Sequence, residues 1–468
     1  MHAFHTRGTH TNRHWETVQI DVEDLMDRGR MGPLHIRVLI LCALVAFLDG
    51  YDLASMASAI PTLAADWGMA PGDLRWIATA ALIGVAGAAL FLSPLGDHFG
   101  RRAILLASFG LVAVATAMTA TSSDANALFA WRVLTGIGLG ASIPNALALA
   151  AEYLPASRRV ALVTLLAAGL SLGAACSGFL APTVIGIGGW RAIFATGGAV
   201  MLLLWVPLLA LPESVRFLVA RDKQPQVIGR LLERLDPGYR YSPDHKFSLP
   251  SSHVSHAAVR ELFASGLAPT TITLWIIFFL NLGLLHLLAS WLPVLLQAHG
   301  LALEDALRFA ALFQIGGVIG GFLLSWFIRR WGPYLVLLAT YAAATAALLM
   351  LWSGVASAAL LSALLLLIGY GVVGGQAALN GLSSSLYPTR ARATGVGWAL
   401  GMGRGGAILA PVVGGAFLGA NASPQRVILF AILLAGLCAC GVAAMRWAVR
   451  RGESRSGAVV ASVAASNQ

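Results

Sequence analysis

The chain contains twelve apolar runs, and each is long enough to cross a lipid bilayer as an α-helix. A spanning helix needs about 20 apolar residues, because lipid offers no hydrogen-bond partners to an unpaired backbone. Only 11% of the 468 residues are charged, whereas a soluble protein has about 25%. The sequence therefore predicts an all-α polytopic membrane protein with twelve transmembrane helices, at residues 36–60, 74–95, 102–121, 125–151, 158–186, 190–211, 270–296, 305–328, 334–352, 357–386, 392–419 and 426–448.

Polar stretches divide these runs into two six-helix halves. An N-terminal segment (1–35) precedes the first half (36–211), and a proline-containing loop (212–269) separates it from the second half (270–449). The N-terminal segment is predicted to contain a short amphipathic helix from Ile20 to Asp27, and its polarity argues against a cleavable signal peptide. The Ser/Ala/Gly-rich tail (450–468) is predicted to be disordered.

Arginines mark alternate loops between the runs. They follow the second, fourth, eighth and tenth runs, and the opposite short loops contain neither Lys nor Arg. Because loops rich in Lys and Arg stay on the cytoplasmic side, both termini and the central loop are predicted to be cytoplasmic. The net charge of +10 is spread over these loops and tails, which argues against nucleic-acid binding.

The two halves repeat small residues at a constant offset. Gly136 and Pro155 align with Gly369 and Pro388, 233 residues further on. A parallel repeat of six helices is typical of secondary transporters, whose substrate site lies between the halves near the membrane midplane. The sequence therefore predicts a transporter with its binding site between the two halves.

Two carboxylates, Asp49 and Asp52, lie in the middle of the first apolar run. At a spacing of three residues they share one face of a helix. An ionised residue in a span costs roughly 2.5–3.5 kcal/mol on insertion scales, and two close carboxylates resist ionising together. The pair is therefore predicted to take up and release a proton, which is the coupling ion; no other cofactor is expected. The alternative is a structural role in capping or in pairing with a neighbouring helix.

The loop after the second run reads GDHFGRR at residues 96–102. Its glycines permit a tight turn, and Asp97 is placed to cap a helix N-terminus. The segment resembles the signature loop of the major facilitator superfamily. That resemblance implies that Asp97 latches the two halves together at the cytoplasmic face. In the second half Arg329 stands where Asp97 would align, so the latch is expected in the first half only.

Further motifs resemble one branch of that superfamily, the aromatic acid:proton symporters. They are DGYD at 49–52, RVLTGIGLG at 132–140, PES at 212–214, SWLP at 290–293 and RATGVG at 392–397. The resemblance covers nearly the whole chain between residues 20 and 450. It implies a major facilitator fold in a bacterial inner membrane and import of hydroxybenzoates, protocatechuate and related acids. It also implies a need for Asp49 and Asp52 in transport, and function as a monomer.

Two arginines, Arg132 and Arg404, lie well inside their predicted spans, away from the helix ends. Arg404 is near mid-membrane in the eleventh run, and no carboxylate lies deep in the spans of the second half. A buried arginine needs an anion, and a substrate carboxylate offers a bidentate one. Arg404 is therefore predicted to bind substrate, with snorkelling or pairing across the halves as the alternative. For Arg132 two roles stay open: it binds substrate, or it neutralises Asp49 or Asp52.

Amides and aromatic rings within the spans supply the other predicted substrate contacts: Tyr51, Asn145, Trp291, Gln314, Trp398 and Asn380. Rings can sandwich an aromatic ligand, although amides often only bond neighbouring helices. A lone histidine, His286, is interpreted as a packing residue rather than a titrating one. Charged residues near the cytoplasmic helix ends are predicted to form a gate, with solvated surface charges as the alternative: Asp97, Arg101, Glu152, Arg158 and Arg392.

These predictions together describe a proton-coupled symporter that imports a small aromatic carboxylate by alternating access. Three alternatives stay open: a transporter of a non-aromatic acid such as a muconate, or an exchanger; a membrane sensor of aromatic acids; and a membrane-embedded enzyme. The central loop is short for a signalling domain, which disfavours the sensor. The spans show no His-rich metal box and no nucleophile–base pair, so an enzyme is not expected.

Overall fold

The computed structural model describes residues 19–29, 31–92, 95–221, 225–236, 238–242, 245–249, 259–263, 267–354, 357–419 and 423–466. The helices of the first half and the central loop are α1 (Val22–Arg28), α2 (Pro33–Trp67), α3 (Arg75–Phe91), α4 (Leu95–Phe99), α5 (Arg101–Thr119), α6 (Ala125–Tyr153), α7 (Ala156–Leu208), α8 (Val215–Ala220) and α9 (Pro225–Leu235). Those of the second half are α10 (Ala268–Ala298), α11 (Leu303–Trp331), α12 (Pro333–Trp352), α13 (Ala358–Leu386), α14 (Thr389–Ala416) and α15 (Pro424–Ser466). Strands β1 (Gln19–Asp21) and β2 (Lys246–Ser248) pair in parallel, and 3-10 turns occupy Pro71–Leu74 and Val259–Phe263.

The membrane-spanning helices number twelve in the described part of the chain. Ten helices are long and apolar enough to cross a membrane. One of them, α7, contains two spans, because its backbone leaves helical geometry at Gly188 and Gly189, where Gly189 has a φ of 65°. The apolar helix α3 has 17 residues and packs against α6 as a further span. The two sets of six helices confirm the predicted fold.

The N-terminal segment packs against one end of the first half. We call this end, which carries Arg101 and Arg159, the arginine-rich end. The predicted amphipathic helix forms as α1, and the Asp21 side chain caps it by accepting backbone N–H groups of its first turn. Ile20 lies in β1 instead of the helix, because β1 pairs with a strand of the central loop. Asp27 forms an ion pair with Arg159 at the start of α7.

The last helix, α15, continues to Ser466, where the sequence led us to expect a disordered tail from Arg450. The tail contains no proline, and its several Ala and Arg residues are good helix formers. No proline therefore ends the helix at the membrane surface.

Glycines allow α2 and α7 to approach each other closely. A Cβ at Gly173 would lie 1.7 Å from the backbone oxygen of Phe47, and one at Gly50 would lie 1.8 Å from that of Leu170. Lipid provides no hydrophobic force between helices, so small residues at crossings are a main source of association. Gly50 lies between the two aspartates, and this contact therefore fixes the helix that carries them.

Gly173→Ala is expected to destabilise the protein, because a methyl group there forces the two backbones apart. Overpacking costs about 1–3 kcal/mol in typical cores. Thermal unfolding of purified protein in detergent measures the effect. Gly87→Ala in α3 is the matched control, since a Cβ at Gly87 meets nothing within 4 Å; equal melting temperatures for the two variants would contradict this account of the packing.

The two halves touch at the end of the bundle opposite to the arginine-rich end. A Cβ at Gly72 would lie 2.3 Å from the backbone oxygen of Gly415 in α14, and one at Gly178 in α7 would lie 2.9 Å from the Cβ of Ala311 in α11. Toward the arginine-rich end, Gly401 of α14 is exposed, with open space where its Cβ would lie. The bundle is therefore closed at one end and open at the arginine-rich end.

Candidate functional site

A cavity of about 360 Å³ lies between the two halves. Pockets of roughly 300–1,000 Å³ suit small-molecule ligands. Helices α2, α3, α6 and α7 of the first half and α10, α11 and α13 of the second half line it, mostly with Ala, Gly, Leu and Val. The wall is therefore apolar apart from a small set of polar side chains: Arg132, Thr164, Ser171, His286, Ser290, Gln314, Gln376 and Asn380.

Arg132 and Asp52 form an ion pair that is fully buried beside this cavity. Nη1 of Arg132 donates to both carboxylate oxygens of Asp52, at 3.0 and 2.9 Å, and Nη2 donates to the Asp52 backbone oxygen at 3.3 Å. Thr116 on α5 donates a further hydrogen bond of 2.7 Å to the carboxylate, and the guanidinium lies 5.4 Å from the Phe194 ring centre. The charge of Asp52 is thus neutralised within the protein. Of the two roles left open for Arg132, the structure shows the ion pair with an aspartate.

Asp49 has different surroundings, although it is one helical turn away and equally buried. Its Oδ2 accepts a hydrogen bond of 2.6 Å from the Ser142 hydroxyl on α6, while its Oδ1 is buried without a partner among the described residues. No cation of the described chain pairs with it. Ser142 also lies 3.4 Å from the backbone oxygen of Leu139, so its hydroxyl can donate a hydrogen bond to that oxygen while accepting one from a protonated Asp49. The site therefore accommodates a neutral carboxylic acid at Asp49.

Arg404 lies on the face of α14 that is turned toward the first half. Gly401 and Gly415, three residues before it and eleven after, share this face; Gly401 borders open space, and Gly415 touches Arg75 of α3. The guanidinium has no hydrogen bond or ion pair with another described residue. Arg404 does not itself line the cavity, but the adjacent Gly403 packs on Leu282, which does. Arg404 is thus a half-buried cation close to the open side of the cavity.

Two of the predicted amides line the cavity. Gln314 of α11 contacts it without a hydrogen bond to another described residue. Asn380 of α13 ends a chain of amides: Asn281 donates to Gln376 at 2.8 Å, and Gln376 donates to Asn380 at 3.0 Å. The chain leaves the amide nitrogen of Asn380 available as a donor at the cavity wall.

The structure places the other predicted substrate contacts away from the cavity. The buried Tyr51 ring lies against Gly197 of α7. Trp291 is fully buried and donates to the Pro411 backbone oxygen at 2.8 Å, so it joins α10 to α14. Trp398 is half exposed and stacks on the Trp275 ring at 5.6 Å. Asn145 donates to the Ala141 backbone oxygen and packs against the turn at Gly96. Their spacing in sequence carried no information about which helix face meets the cavity.

At the arginine-rich end, the charges predicted to form a gate are only partly brought together. Arg101 lies 3.4 Å from Asp97 and 3.2 Å from Glu152, and the Ser214 hydroxyl donates to Glu152. These groups all belong to the first half and its following loop. Arg158 and Arg392 are exposed, and neither forms an ion pair with a described residue. The network does not bridge the halves in this open arrangement.

Several residues of the site were not predicted. Thr116, Ser142 and Phe194 surround the two aspartates, yet each is an unremarkable residue in an apolar run, and only helix packing brings it there. His286 was interpreted as a packing residue, but it lines the cavity. The only signal for it was that polar residues in a span are costly and therefore tend to face a cavity.

A closed-ended cavity between two repeated six-helix halves, with buried ionisable residues beside it, defines a secondary transporter. The chain belongs to the major facilitator superfamily, whose family model matches residues 42–411. It is therefore a transporter and not an enzyme. Its relatives include the 4-hydroxybenzoate transporter PcaK of Pseudomonas aeruginosa, 36% identical over 91% of this chain and 95% of that protein.

Other relatives are named for different aromatic acids. A gallate transporter of Pseudomonas putida is 36% identical over 85% of this chain and 89% of that protein. A benzoate transport protein of Acinetobacter baylyi is 31% identical over 85% of this chain and 86% of that protein. Among solved structures, the inward-open xylose transporter XylE of E. coli superimposes with a TM-score of 0.67 at 17% identity, over 86% of this chain and 94% of that one. The last likeness shows the fold alone.

Proposed function

We propose that the protein is a proton-coupled symporter that imports a small aromatic carboxylate across the bacterial inner membrane by alternating access. The names of its relatives support the substrate class, since transporters of 4-hydroxybenzoate, gallate and benzoate match most of the chain. The placement of arginines supports an orientation with the open end toward the cytoplasm.

The observation that carries the coupling proposal is the unequal pairing of the two aspartates. Asp52 has Arg132 as its counter-ion, whereas Asp49 has one hydroxyl partner and an unpaired oxygen. A buried charge without a counter-ion costs several kcal/mol, so a proton on Asp49 removes a charge that the protein does not otherwise compensate. Asp49 is therefore the proton carrier, and the Asp52–Arg132 pair is a fixed neutral element beside it.

Arg404 supports the carboxylate part of the proposal. It is the cation near the cavity that has no anion among the described residues, and a carboxylate presents two oxygens that match a guanidinium. Small apolar side chains around the cavity leave room for a flat ring. We expect the substrate carboxylate to bind toward Arg404 and its ring to enter the cavity between the halves.

The transport cycle follows from these placements. With the cavity open outward, Asp49 is protonated and the carboxylate binds Arg404. The halves then rock about the site, the contacts of Gly72 and Gly178 form at the outer end, and the arginine-rich end opens. Substrate and proton leave to the cytoplasm. Closure of that end in the outward-open form brings Arg392 toward Asp97 and Glu152, which completes the gate.

Purified protein reconstituted into liposomes tests this function. With the lumen alkaline, it is expected to take up labelled 4-hydroxybenzoate against its gradient, and a protonophore is expected to abolish the accumulation. Unlabelled benzoate is expected to compete and an aliphatic diacid such as muconate is not. Competition by muconate alone would indicate a non-aromatic acid transporter, and uptake that survives the protonophore would contradict proton coupling.

A further inference from the structure

His286 of α10 is the one imidazole that lines the cavity in the described chain. Its Nδ1 lies 2.9 Å from the backbone oxygen of Leu282, one turn earlier. A carbonyl oxygen only accepts hydrogen bonds, so Nδ1 carries the proton and Nε2 carries a lone pair. Nε2 has no hydrogen-bond partner among the described residues, and the His286 residue is only partly buried. It therefore presents a hydrogen-bond acceptor to the cavity.

Gln314 of α11 lies at the same depth in the membrane. The helices α10 and α11 are antiparallel neighbours joined by a short turn after Ala298. His286 is twelve residues before that turn and Gln314 eleven residues into α11, which places them roughly 18 and 17 Å from the closed end at 1.5 Å per residue. Both line the same cavity, and the Gln314 amide makes no hydrogen bond to another described residue.

His286 offers a hydrogen-bond acceptor, and the nearby Gln314 amide can both donate and accept hydrogen bonds. Together they match the hydrogen-bonding groups of a phenol. A ring hydroxyl donates one hydrogen bond and accepts another, so it can satisfy His286 and Gln314 together. Benzoate has no group that can do so. A site built to bond a hydroxyl disfavours the analogue that lacks it, because the polar groups of the site then lose their partner.

The position of Arg404 gives the ligand a direction. The neighbouring Gly403 packs against Phe278 and Leu282 of α10, so Arg404 lies roughly one helical turn, about 6 Å, further toward the arginine-rich end than His286. A carboxylate on Arg404 then points the opposite edge of its ring toward His286. The geometry favours a hydroxyl on the side of the ring remote from the carboxylate.

We propose that His286 and Gln314 form a subsite for the ring hydroxyl of a hydroxylated aromatic acid. The subsite sets the preference of the transporter for hydroxylated over unsubstituted aromatic carboxylates. This inference rests on the proposed function, since it assumes that an aromatic acid occupies the cavity, and it assigns a specificity role that the proton site does not require.

The test compares uptake of 4-hydroxybenzoate and benzoate, which differ by one hydroxyl. Wild-type protein is expected to prefer 4-hydroxybenzoate by roughly 3- to 10-fold, the effect of about one net hydrogen bond. His286→Leu is expected to remove the preference by slowing uptake of 4-hydroxybenzoate only. His286→Gln, whose amide oxygen reaches toward the Nε2 position, is expected to retain part of it.

His299→Leu is the matched control. His299 lies at the end of the same helix and makes the same kind of bond, from Nδ1 to the Leu295 backbone oxygen at 2.8 Å, but it does not line the cavity. Its variant is expected to keep the wild-type preference. If His286→Leu keeps the wild-type ratio of 4-hydroxybenzoate uptake to benzoate uptake, the proposal is overturned. If that variant transports neither acid, Gln314→Leu is decisive: a reduced ratio supports the subsite and a wild-type ratio overturns it.

The uptake of the two acids by wild-type protein distinguishes failure of the proposed function from failure of the hydroxyl subsite. If wild-type protein imports neither aromatic acid, the proposed function is wrong. If it imports both acids equally well, the proposed function stands and the hydroxyl subsite is wrong.

Discussion

Asp49→Asn is expected to abolish proton-driven accumulation while leaving the protein able to exchange substrate. Asparagine keeps the shape of the protonated carboxyl and can still bond Ser142, but it cannot release a proton. The alternating movement therefore continues with the site permanently neutral, and the coupling is lost. One pH unit across the membrane corresponds to about 1.4 kcal/mol, or up to tenfold accumulation for one coupled proton. The variant is expected to reach only equal concentrations on both sides.

Two assays separate this effect from misfolding. Labelled 4-hydroxybenzoate counterflow, which needs no net proton movement, is expected to persist in Asp49→Asn proteoliposomes. Asp66→Asn is the matched control on the same helix, because Asp66 is half exposed and pairs with Arg191 at 3.1 Å near the end of α2. Accumulation by Asp49→Asn at the wild-type level would remove Asp49 from the coupling mechanism.

Breaking the buried Asp52–Arg132 pair is expected to have a comparably large effect, but on stability as well as transport. Removing one partner leaves an uncompensated buried charge and costs about 3–5 kcal/mol, whereas removing both is often nearly neutral. Asp52→Asn and Arg132→Gln are each expected to lower the melting temperature strongly. The double variant is expected to recover most of that loss.

A thermal double-mutant cycle in detergent measures this coupling. Thr116→Val serves as the control, since it removes only the 2.7 Å hydroxyl bond to Asp52 and is expected to cost about 1 kcal/mol. If the losses in stability of the two single variants simply add in the double variant, Asp52 and Arg132 do not act as a neutral pair. Transport is expected to stay impaired in the double variant, because the helix contact between α2 and α6 no longer holds Asp49 in place.

Most of the fold could be predicted from the sequence, because the hydrocarbon core of a membrane permits few backbone structures. Runs of about 20 apolar residues leave helices as the only way to satisfy the backbone, and the six-helix repeat predicted the two halves. The break within α7 was also visible, since the prediction ended one span at residue 186 and began the next at 190, on either side of Gly188 and Gly189.

Only part of the candidate site could be predicted from the sequence. Asp49, Asp52 and Arg132 were found because ionisable residues in lipid are costly. The sequence could not say which aspartate holds Arg132, since both lie on one helix face and the answer depends on where α6 crosses α2. Trp291 and Trp398 were chosen for their aromatic chemistry, yet one joins α10 to α14 and the other stacks on Trp275.

The residues that were missed share a property. Ser142 and Thr116 gain their roles from contacts between helices that are distant in sequence, at 93 and 64 positions from the aspartates they bond. His286 gains its role from facing a space between halves. Neither kind of information is contained in the periodicity of one apolar helix, because every face of such a helix is apolar.

Proton movement driven by substrate tests the coupling at Asp49 most directly. Liposomes containing the protein and a lumenal pH-sensitive dye start without any pH gradient, and 4-hydroxybenzoate is added outside. After subtraction of the signal from protein-free liposomes, wild-type protein is expected to acidify the lumen as substrate enters, and Asp49→Asn is expected to give no signal. Entry of labelled substrate through the wild-type protein with an unchanged lumenal pH would contradict the account.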